Sequence, residues 1–336
     1  VLGTRTNLYS GNEIQTHETT NVRGIYSTSE PFVHFGLKKC TKVDSIVVTW
    51  PNQTKTIIRN LDVNQTIQLA MNDSTAVTEK HTNIASNSYF YNSTESFDIN
   101  FKHQENKFDD YQYQVLLPHK LSQMGPALAK GDVNRDGLED VYLGGASGFA
   151  PKLYIQKSDG SFYLNNLSYW TNESAYEDID ALFVDINGDG YQDLYVVSGG
   201  NEYPPNDLNY MDRIYINDGK GNFSKGSIIN TSPFSGSVVK ASDYDNDGDM
   251  DLFVGARHVP HQYPLPASSI LLINQNGTLI NRTQTLASEF ENIGMVTDAI
   301  WNDYDADGDP DLTLVGEWMP ITFFNNQNGA LKKTEM

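Results

Sequence analysis

Several features that the 336-residue sequence lacks exclude whole classes of structure. It has one cysteine, Cys40, so no disulfide can form within the chain. No apolar run approaches the roughly 20 residues that a membrane-spanning helix needs, so we expect no transmembrane segment. Basic residues are few, with 23 Lys and Arg against 43 Asp and Glu and a net charge of −20. Such a chain would repel phosphate groups, which argues against nucleic acid as a partner.

Recognisable catalytic motifs are also missing. No Gly-x-Ser-x-Gly, His-Glu-x-x-His or phosphate-binding loop occurs. The one polar cluster before the repeats contains His103, Glu105, Asp109, Asp110 and His119, which could bind a metal or do acid–base work. Its spacing fits no known template, and a solvated polar edge explains it better. An enzyme that acts on polysaccharides, a hydrolase or a lyase, is kept as the alternative hypothesis for the function.

The second half of the sequence contains a repeat. Four Asp-rich segments of nine residues begin 53, 58 and 60 residues apart, a spacing that suits one four-stranded propeller blade with its loops. Short apolar segments flank each one, and each repeat ends in a hairpin with an Asn-Gly or Asp-Gly tip. The order within a repeat is therefore strand, acidic loop, strand, loop, strand, tight turn, strand. We call the acidic segments loops 1 to 4: 132–140, 185–193, 243–251 and 303–311.

The composition of these loops predicts a site for a hard divalent cation. Positions 1, 3 and 5 carry Asp or Asn, so that alternate side chains can converge, and position 6 is always Gly, which permits a backbone reversal. Position 7 can offer its carbonyl, and the Asp at position 9 can close the shell with both oxygens. Calcium takes six to eight such oxygens, whereas magnesium tends to keep its waters. Zinc would require His or Cys, which the loops lack.

The pattern Asp-x-Asp-x-Asp-Gly-x-x-Asp at blade spacing resembles the FG-GAP/VCBS repeats, which include the blades of integrin α-chain propellers. The resemblance covers about residues 96–336 and implies an all-β propeller with about four calcium ions. Such propellers usually have seven blades, whereas four repeats occur here. Three alternatives stay open: a truncated larger ring, blades supplied from outside this chain, and a closed four-bladed ring. Loops 1 and 2, with Asn at position 3, are expected to bind more weakly. The resemblance implies these ligands, with position 7 acting through its carbonyl: Asp132, Asn134, Asp136, Leu138, Asp140, Asp185, Asn187, Asp189, Tyr191, Asp193, Asp243, Asp245, Asp247, Asp249, Asp251, Asp303, Asp305, Asp307, Asp309 and Asp311.

Residues 1–73 lack acidic loops and predict a small β-domain, followed by a Ser-, Thr- and Asn-rich linker at 74–95. Stretches within it, His34–Leu37, Val43–Pro51 and Asn64–Thr66, resemble the ASPIC/UnbV domain, which is commonly found beside such repeats in secreted bacterial proteins. The resemblance implies a secreted or cell-surface protein, on the bacterial outer surface or in the periplasm. We also expect the chain to be part of a longer multidomain precursor, because Val1–Thr4 looks like sequence from the middle of a domain. It implies no molecular activity. The expected strands are Arg5–Tyr9, Phe32–Phe35, Ser45–Trp50, Thr54–Ile58 and Thr66–Leu69.

The strand alternation of an antiparallel blade predicts a ligand-binding end. The loops between strands 2 and 3, and the connections between repeats, lie at the end opposite loops 1 to 4, and such loops are where binding residues concentrate. We expect a glycan or an extracellular protein to bind there, as in adhesion. Four aromatic residues, Tyr203, Tyr210, Tyr263 and Trp318, are expected to form a flat ring, although they could also simply pack their own loops. The candidates are Tyr203, Tyr210, Arg257, His258, His261, Tyr263, Glu317 and Trp318.

Overall fold

The computed structural model describes residues 1–22, 24–25, 27–28, 32–71, 97–165, 168–227 and 229–334. The chain divides into two compact units, Val1–Tyr91 and Asn92–Met336. The linker expected at 74–95 lies outside the described residues, so the predicted domain limits of 1–73 and 96–336 stay predictions. Nearly all regular structure in both units is β-strand, which confirms the predicted all-β class.

In its described residues, the first unit forms one antiparallel sheet of four strands. Its order is β2-β1-β3-β4, so the chain forms a hairpin, crosses to the other side of β1 and forms a second hairpin. Among the residues described there, the buried apolar side chains are Leu8, Val43, Val48 and Trp50. The indole N–H of Trp50 donates to Thr56 Oγ1 at 2.8 Å. The strands are β1 (Arg5–Ser10), β2 (Glu13–Glu18), β3 (Lys42–Thr49) and β4 (Lys55–Asp62).

Two of the strand predictions for this unit are wrong. Phe32–Phe35 and Thr66–Leu69 are not strands, because neither segment pairs with another strand among the described residues, and Phe32 is 72% exposed. The sequence pattern also missed β2. This edge strand is mostly exposed and polar, so it lacks the alternation of apolar residues by which strands are predicted. Pairing with β1 selects it.

The second unit consists of four antiparallel sheets, each made of four consecutive strands in chain order, as in propeller blades. Each acidic loop joins the first and second strands of its blade, and each hairpin joins the third and fourth, as predicted. Helix is limited to α1 (Asp110–Tyr113), α2 (Thr283–Leu286) and short 3-10 turns in the described residues. The strands are β5 (Leu128–Gly131), β6 (Asp140–Leu143), β7 (Lys152–Gln156), β8 (Phe162–Asn165), β9 (Asp178–Val184), β10 (Asp193–Ser198), β11 (Arg213–Asn217), β12 (Phe223–Lys225), β13 (Ser235–Ser242), β14 (Asp251–His258), β15 (Ile270–Asn274), β16 (Leu279–Asn281), β17 (Met295–Asn302), β18 (Asp311–Glu317), β19 (Thr322–Asn326) and β20 (Leu331–Thr334).

The first strands of adjacent blades pack against one another in the order β5, β9, β13, β17. Within the described residues no comparable packing joins β17 to β5, and no closed four-bladed ring is found there. Burial of apolar surface between blades is the main source of their cohesion. Each of the three interfaces holds one apolar cluster, centred in turn on Tyr142, Leu153 and Trp170, on Tyr195, Leu252 and Leu272, and on Phe253, Phe290 and Phe324.

A buried Asn at the end of the third strand fastens each later blade to the blade before it. Its side-chain N–H donates to the carbonyl at position 2 of the preceding acidic loop. The three pairs are Asn217 with Val133 at 2.8 Å, Asn274 with Ile186 at 2.8 Å and Asn326 with Tyr244 at 3.0 Å. In the first blade Gln156 occupies the equivalent place, and its side chain instead accepts the N–H of Glu139. The acidic loops are therefore part of the blade interfaces.

Candidate functional site

Loops 1 to 4 share one backbone form. The Gly at position 6 has a φ of 82–97° in all four, which confirms the predicted reversal because this left-handed conformation favours glycine. Position 4 is left-handed as well, with φ of 58–73°, although three loops place a larger residue there. In every loop the position-1 Asp accepts the N–H of the position-6 Gly at 2.8–3.1 Å. Each loop therefore folds around its first carboxylate.

The Asp at position 9 is the buried anchor of each loop. In loop 3, Asp251 accepts the N–H of Tyr244 at 3.1 Å with one oxygen and that of Asn274 at 2.7 Å with the other. The position-9 Asp of each other loop makes the same pair of contacts, namely Asp140, Asp193 and Asp311. Burial raises the pKa of Asp140 and of Asp251 to about 6. Each carboxylate oxygen still has a lone pair that could bind a cation. That these Asp residues complete a metal shell stays a prediction. Their role as structural anchors is one that sequence reasoning missed.

The loops differ at position 3. In loops 1 and 2 an Asn donates its side-chain N–H to the Asp at position 5, from Asn134 at 3.0 Å and from Asn187 at 2.9 Å. Loops 3 and 4 have Asp at position 3 and therefore no such donor. Among the described residues, these two loops gather three carboxylates whose oxygens lie within 4.8 Å of one another: Asp243, Asp245 and Asp247 in loop 3, and Asp303, Asp305 and Asp311 in loop 4.

The donor set of these clusters fits a hard metal ion. All contributing atoms are oxygens, which suit calcium and magnesium rather than zinc. In loop 3, Asp243 Oδ1 is buried and has no hydrogen-bond partner within the described part of the chain. Burial, followed by the charge of Asp247, raises the pKa of Asp245. Like charges this close repel one another unless a cation lies between them, so the clusters in loops 3 and 4 could each hold a metal ion.

At the opposite end of the blades, four of the eight predicted ligand residues form one hydrogen-bonded network. Glu317 accepts from Arg257 Nη2 at 2.6 Å and from the Tyr263 hydroxyl at 2.5 Å. The same hydroxyl accepts the indole N–H of Trp318 at 2.6 Å. Trp318 is 79% exposed and has a φ of 57°, a conformation that is rare for a bulky residue. The network therefore holds a large aromatic ring in a fixed position in solvent.

Two further candidates, His258 and His261, meet on Asn201. The Asn201 side-chain oxygen lies 3.2 Å from His258 Nε2 and accepts the backbone N–H of His261 at 2.9 Å. The Asn201 amide donates to Asp110 Oδ1 at 3.0 Å. Burial, followed by the charge of Arg257, lowers the pKa of His258 to about 3. Sequence reasoning missed Asn201, because one Asn in an Asn-rich chain carries no signal.

The predicted flat ring of four aromatics is wrong, since Tyr210 is 1% exposed. Its hydroxyl donates to the Tyr203 carbonyl at 2.8 Å and accepts the Tyr203 N–H at 3.0 Å. The ring is buried while the hydroxyl is satisfied within the same loop, so this tyrosine packs its own segment. Arg257 and His258 are also buried, at 5% and 1% exposure. Ligand binding by the remaining candidates stays a prediction.

The polar cluster before the first blade does not form one constellation. His103 Nε2 lies 2.6 Å from Glu105 Oε1. Asp110 is buried and accepts from the N–H groups of Leu121 and Ser122, and Asp109 caps α1. His119 lies 3.9 Å from Glu317, in the network described above. Asp109, Asp110 and His119 therefore have positions that structural contacts explain.

Three glutamates interact at this end, of which sequence reasoning singled out Glu105 but not Glu177 or Glu202. Burial, with the charges of Glu202 and Glu105 adding to it, raises the pKa of Glu177 to about 9, although the Ser147 N–H acts in the opposite direction. Burial, followed by the charges of Asp110 and Glu105, raises the pKa of Glu202 to about 7. Glu177 and Glu202 come from separate segments with no shared pattern, so no sequence signal marks them.

Comparison with family models identifies both parts of the chain. Residues 1–76 match the ASPIC and UnbV model, and residues 132–196 and 185–254 match the FG-GAP-like repeat model. The chain combines an ASPIC/UnbV domain with FG-GAP-like repeats. The two resemblances drawn from the sequence are thereby confirmed. The matched repeats include loops 1, 2 and 3, and loop 4 shares their geometry.

Comparisons with curated proteins and with solved structures identify no further family. Among curated proteins, no sequence matches the chain. A solved structure with similarity is the V. cholerae biofilm matrix protein Bap1, with 18% identity over 63% of this chain and a TM-score of 0.34. This chain spans 30% of the length of that one. No helix in the described part of the FG-GAP/UnbV chain is long and apolar enough to cross a membrane.

Proposed function

We propose that this FG-GAP/UnbV protein is an extracellular, calcium-binding adhesion module that binds a glycan or protein at the end of the blades opposite loops 1 to 4. The observation that carries the calcium part is the clustering of carboxylates in loops 3 and 4, with Asp243 Oδ1 buried and unpartnered. FG-GAP-like repeats with these loops support an extracellular setting, where calcium is abundant enough for weak sites of roughly 10⁻⁴–10⁻³ M.

Calcium would act on the blade rather than on the ligand. The side chains at positions 1, 3, 5 and 9 and the carbonyl at position 7 would hold the ion. The ion supplies positive charge that offsets the repulsion among the carboxylates. Since the position-9 Asp also binds the third strand, an ion in loop 3 would stiffen the contacts of Asp251 with Tyr244 and Asn274.

Exposed Trp318 carries the ligand-binding part of the proposal. An aromatic ring fixed in solvent can stack on a sugar or anchor a partner. Glu317 and Tyr263, which hold the ring, can offer directional hydrogen bonds beside it. Arg257 has two N–H groups, at Nε and Nη1, without a partner among the described residues. These features support recognition of a polar ligand such as a glycan.

Calcium uptake is tested by titration calorimetry of chelator-treated protein. We expect binding at about four sites, with loops 3 and 4 filling first. Absence of heat and of bound calcium by elemental analysis would exclude the calcium part of the proposal.

Ligand binding is tested on a glycan array and on immobilised extracellular matrix proteins. Trp318→Ala should abolish binding with metal content intact, whereas Trp318→Phe should retain part of it and Leu128→Ala, which removes an exposed side chain elsewhere, should change nothing. Binding that is lost only in loop variants would place the ligand at the loop end and contradict the proposal. Turnover of a polysaccharide that His103→Ala abolishes would support the enzyme alternative instead.

A further inference from the structure

The three blade interfaces differ in how they are filled at the end that carries loops 1 to 4. A hairpin glycine marks the same place in each interface, because its N–H donates to the side-chain oxygen of the interface Asn: Gly219 to Asn217, Gly277 to Asn274 and Gly329 to Asn326. A Cβ at Gly219 would overlap the Tyr191 ring, and one at Gly277 would lie 3.2 Å from Asn187 Cα. A Cβ at Gly329 would meet nothing within 4 Å beyond its chain neighbours. Of the three interfaces, the one between blades 3 and 4 is therefore open at this place.

In the first interface, a guanidinium group of the chain itself fills the space between two loops. Arg135, at position 4 of loop 1, donates to the Gly190 carbonyl and lies 4.3 Å from the centre of the Tyr191 ring. Tyr191 is position 7 of loop 2, so the contact runs from position 4 of one loop to position 7 of the next. The same two positions meet between loops 3 and 4, where Asn246 Nδ2 donates to Asp309 Oδ1 at 3.1 Å. A short amide and a carboxylate there replace the long guanidinium side chain and the ring.

A pocket of about 250 Å³ lies between loops 3 and 4 as a result. Loop 3 lines it with Tyr244, Asp245 and Asn246, and loop 4 lines it with Asp309. The hairpin of blade 4 completes the lining, including Gly329. None of the lining residues is basic, so two carboxylates face the pocket without a cation among its walls.

Tyr244 gives a second sign that a ligand group is missing. Its side chain is completely buried, and its hydroxyl has no hydrogen-bond partner within the described residues. Burial raises the pKa of this hydroxyl, and the charges of Asp245 and Asp309 add to the effect. A buried hydroxyl without a partner is rare in native proteins. We therefore expect a polar group in the pocket to complete its hydrogen bonding.

We propose that the pocket between loops 3 and 4 binds the guanidinium group of an arginine side chain from a partner protein. A guanidinium presents five N–H donors in one plane and keeps its charge, which suits acceptors spread around a pocket. Arg135 shows that the equivalent place in this chain accepts such a group. A bare metal ion suits the pocket less. Among the described residues, the groups of three carboxylates within 4.8 Å lie inside loops 3 and 4, and neither includes Asp309.

Asp309 supplies charge that the calcium proposed for loop 4 would not use. Position 7 would hold that ion through its carbonyl, so the Asp309 carboxylate stays available to the ligand. Asp249, at position 7 of loop 3, differs because its carboxylate accepts the Asn276 N–H at 3.0 Å and it faces no pocket of this kind. The pocket shares no residue with the network around Trp318, so it does not depend on the ligand proposed for the opposite end.

The test is a calorimetric titration of the full chain, in saturating calcium, with a short blocked peptide that contains one arginine. The same peptide with citrulline, which has a similar shape but no charge, should bind about tenfold more weakly, the scale of a charged hydrogen bond. Asp309→Asn should weaken binding of the arginine peptide by about the same factor, whereas the matched control Asp249→Asn should leave it unchanged. Equal affinities for the two peptides, or equal losses in the two variants, would overturn the site. Free L-arginine that binds as tightly as the peptide would overturn the protein partner.

A variant that fills the pocket from within gives an independent readout. Asn246→Arg copies loop 1, and the backbone suits it because Asn246 and Arg135 have φ of 58° and 60°. This variant should lose binding of the arginine peptide and melt at a higher temperature than the wild type. The control is Ala306→Arg, which adds the same charge at position 4 of loop 4, outside the pocket, and should leave peptide binding unchanged. Unchanged binding in Asn246→Arg, or an equal loss in both variants, would overturn the proposal.

Discussion

At the loop end of the blades the same polar contacts recur in every blade, whereas at the opposite end each contact occurs once. The position-1 and position-9 Asp residues repeat their backbone hydrogen bonds in loops 1 to 4. At the opposite end, Arg213 pairs with Asp178 and lies over the Tyr176 ring, and Arg257 pairs with Glu317. The repeated sequence therefore produces repeated contacts at the loop end, both within each loop and between blades, where Asn217, Asn274 and Asn326 each bond the preceding loop.

The two ends also differ in where their positive charge comes from. At the opposite end the chain supplies buried cations of its own, since Arg213 and Arg257 are 3% and 5% exposed. At the loop end, Arg135 turns away from the carboxylates of its own loop and reaches the Gly190 carbonyl and the Tyr191 ring. Calcium bound as proposed would supply positive charge to the loop end from solution, and this difference predicts how each end responds to perturbation.

Removal of calcium should have the largest effect, and it should act through the loop end. Each filled site stabilises the native state by about 2.7 kcal/mol at a hundredfold excess over the dissociation constant, so four sites together exceed any single substitution. Thermal unfolding in calcium and in EDTA measures the difference. Equal melting temperatures would mean that the loops are ordinary turns and that the two ends do not differ in this respect.

The substitution Asp251→Ala should cost about 3 kcal/mol even in EDTA, because it leaves two buried backbone N–H groups without an acceptor. Urea unfolding in EDTA isolates this effect from metal binding. The control is Asp247→Ala at the exposed position 5 of the same loop, which should change stability by less than about 1 kcal/mol. Similar losses in both variants would refute the anchoring role of position 9.

Asn274→Ala should cost about 2 kcal/mol, because it removes the buried hydrogen bond to the Ile186 carbonyl between blades. Gln156→Ala is the matched control, since Gln156 occupies the same place in the first blade but makes no contact with a preceding loop. Urea unfolding of both variants measures the contrast. An equal cost in the two variants would show that the contact between blades adds nothing.

His258 should make the opposite end sensitive to acid. Burial lowers its pKa to about 3, so below its ordinary value of 6.5 the unfolded chain binds a proton that the folded chain excludes. Stability is then fully present above pH 6.5 and is lost as the pH falls toward 3, by at most about 1.4 kcal/mol per pH unit. In EDTA, His258→Gln should show a shallower slope than the wild type. The control variant, with the exposed His119 changed to Gln, should keep the wild-type slope of stability against pH. Equal slopes in all three proteins would contradict the assignment of the acid sensitivity to His258.

Exchange of the position-3 residues should shift stability by about 1 kcal/mol, the scale of one charge pair at 4 Å in water. Asp245→Asn should stabilise loop 3 in EDTA and weaken its calcium affinity. Asn187→Asp should do the reverse in loop 2, because it removes the hydrogen bond to Asp189 and adds a charge. Changes in the same direction for both variants would show that position 3 does not set the difference between the loops.

Much of the second unit could be predicted because its informative contacts are short in sequence. Each acidic loop closes on itself within nine residues, as Asp243 does with Gly248, and the flanking apolar segments form the strands beside it. At the opposite end of the blades, ligand binding stays a prediction. Four of the predicted ligand residues, Arg257, Tyr263, Glu317 and Trp318, are joined by hydrogen bonds. The burial of Tyr210 depends on packing that no local pattern reveals.

By itself, the sequence determined the repeat, the place of each acidic loop between two strands and the all-β class, since these follow from spacing, glycine at position 6 and local side-chain chemistry. Tertiary structure decided which residues meet across long separations. It brought Asn274 to Ile186, Asn201 to Asp110 and Glu177 to Glu202. It also made β2 a strand and left β5 unpacked against β17. The physical reason is that each of these outcomes depends on the surface that another segment presents. The local sequence around a residue does not specify which distant residues it will contact.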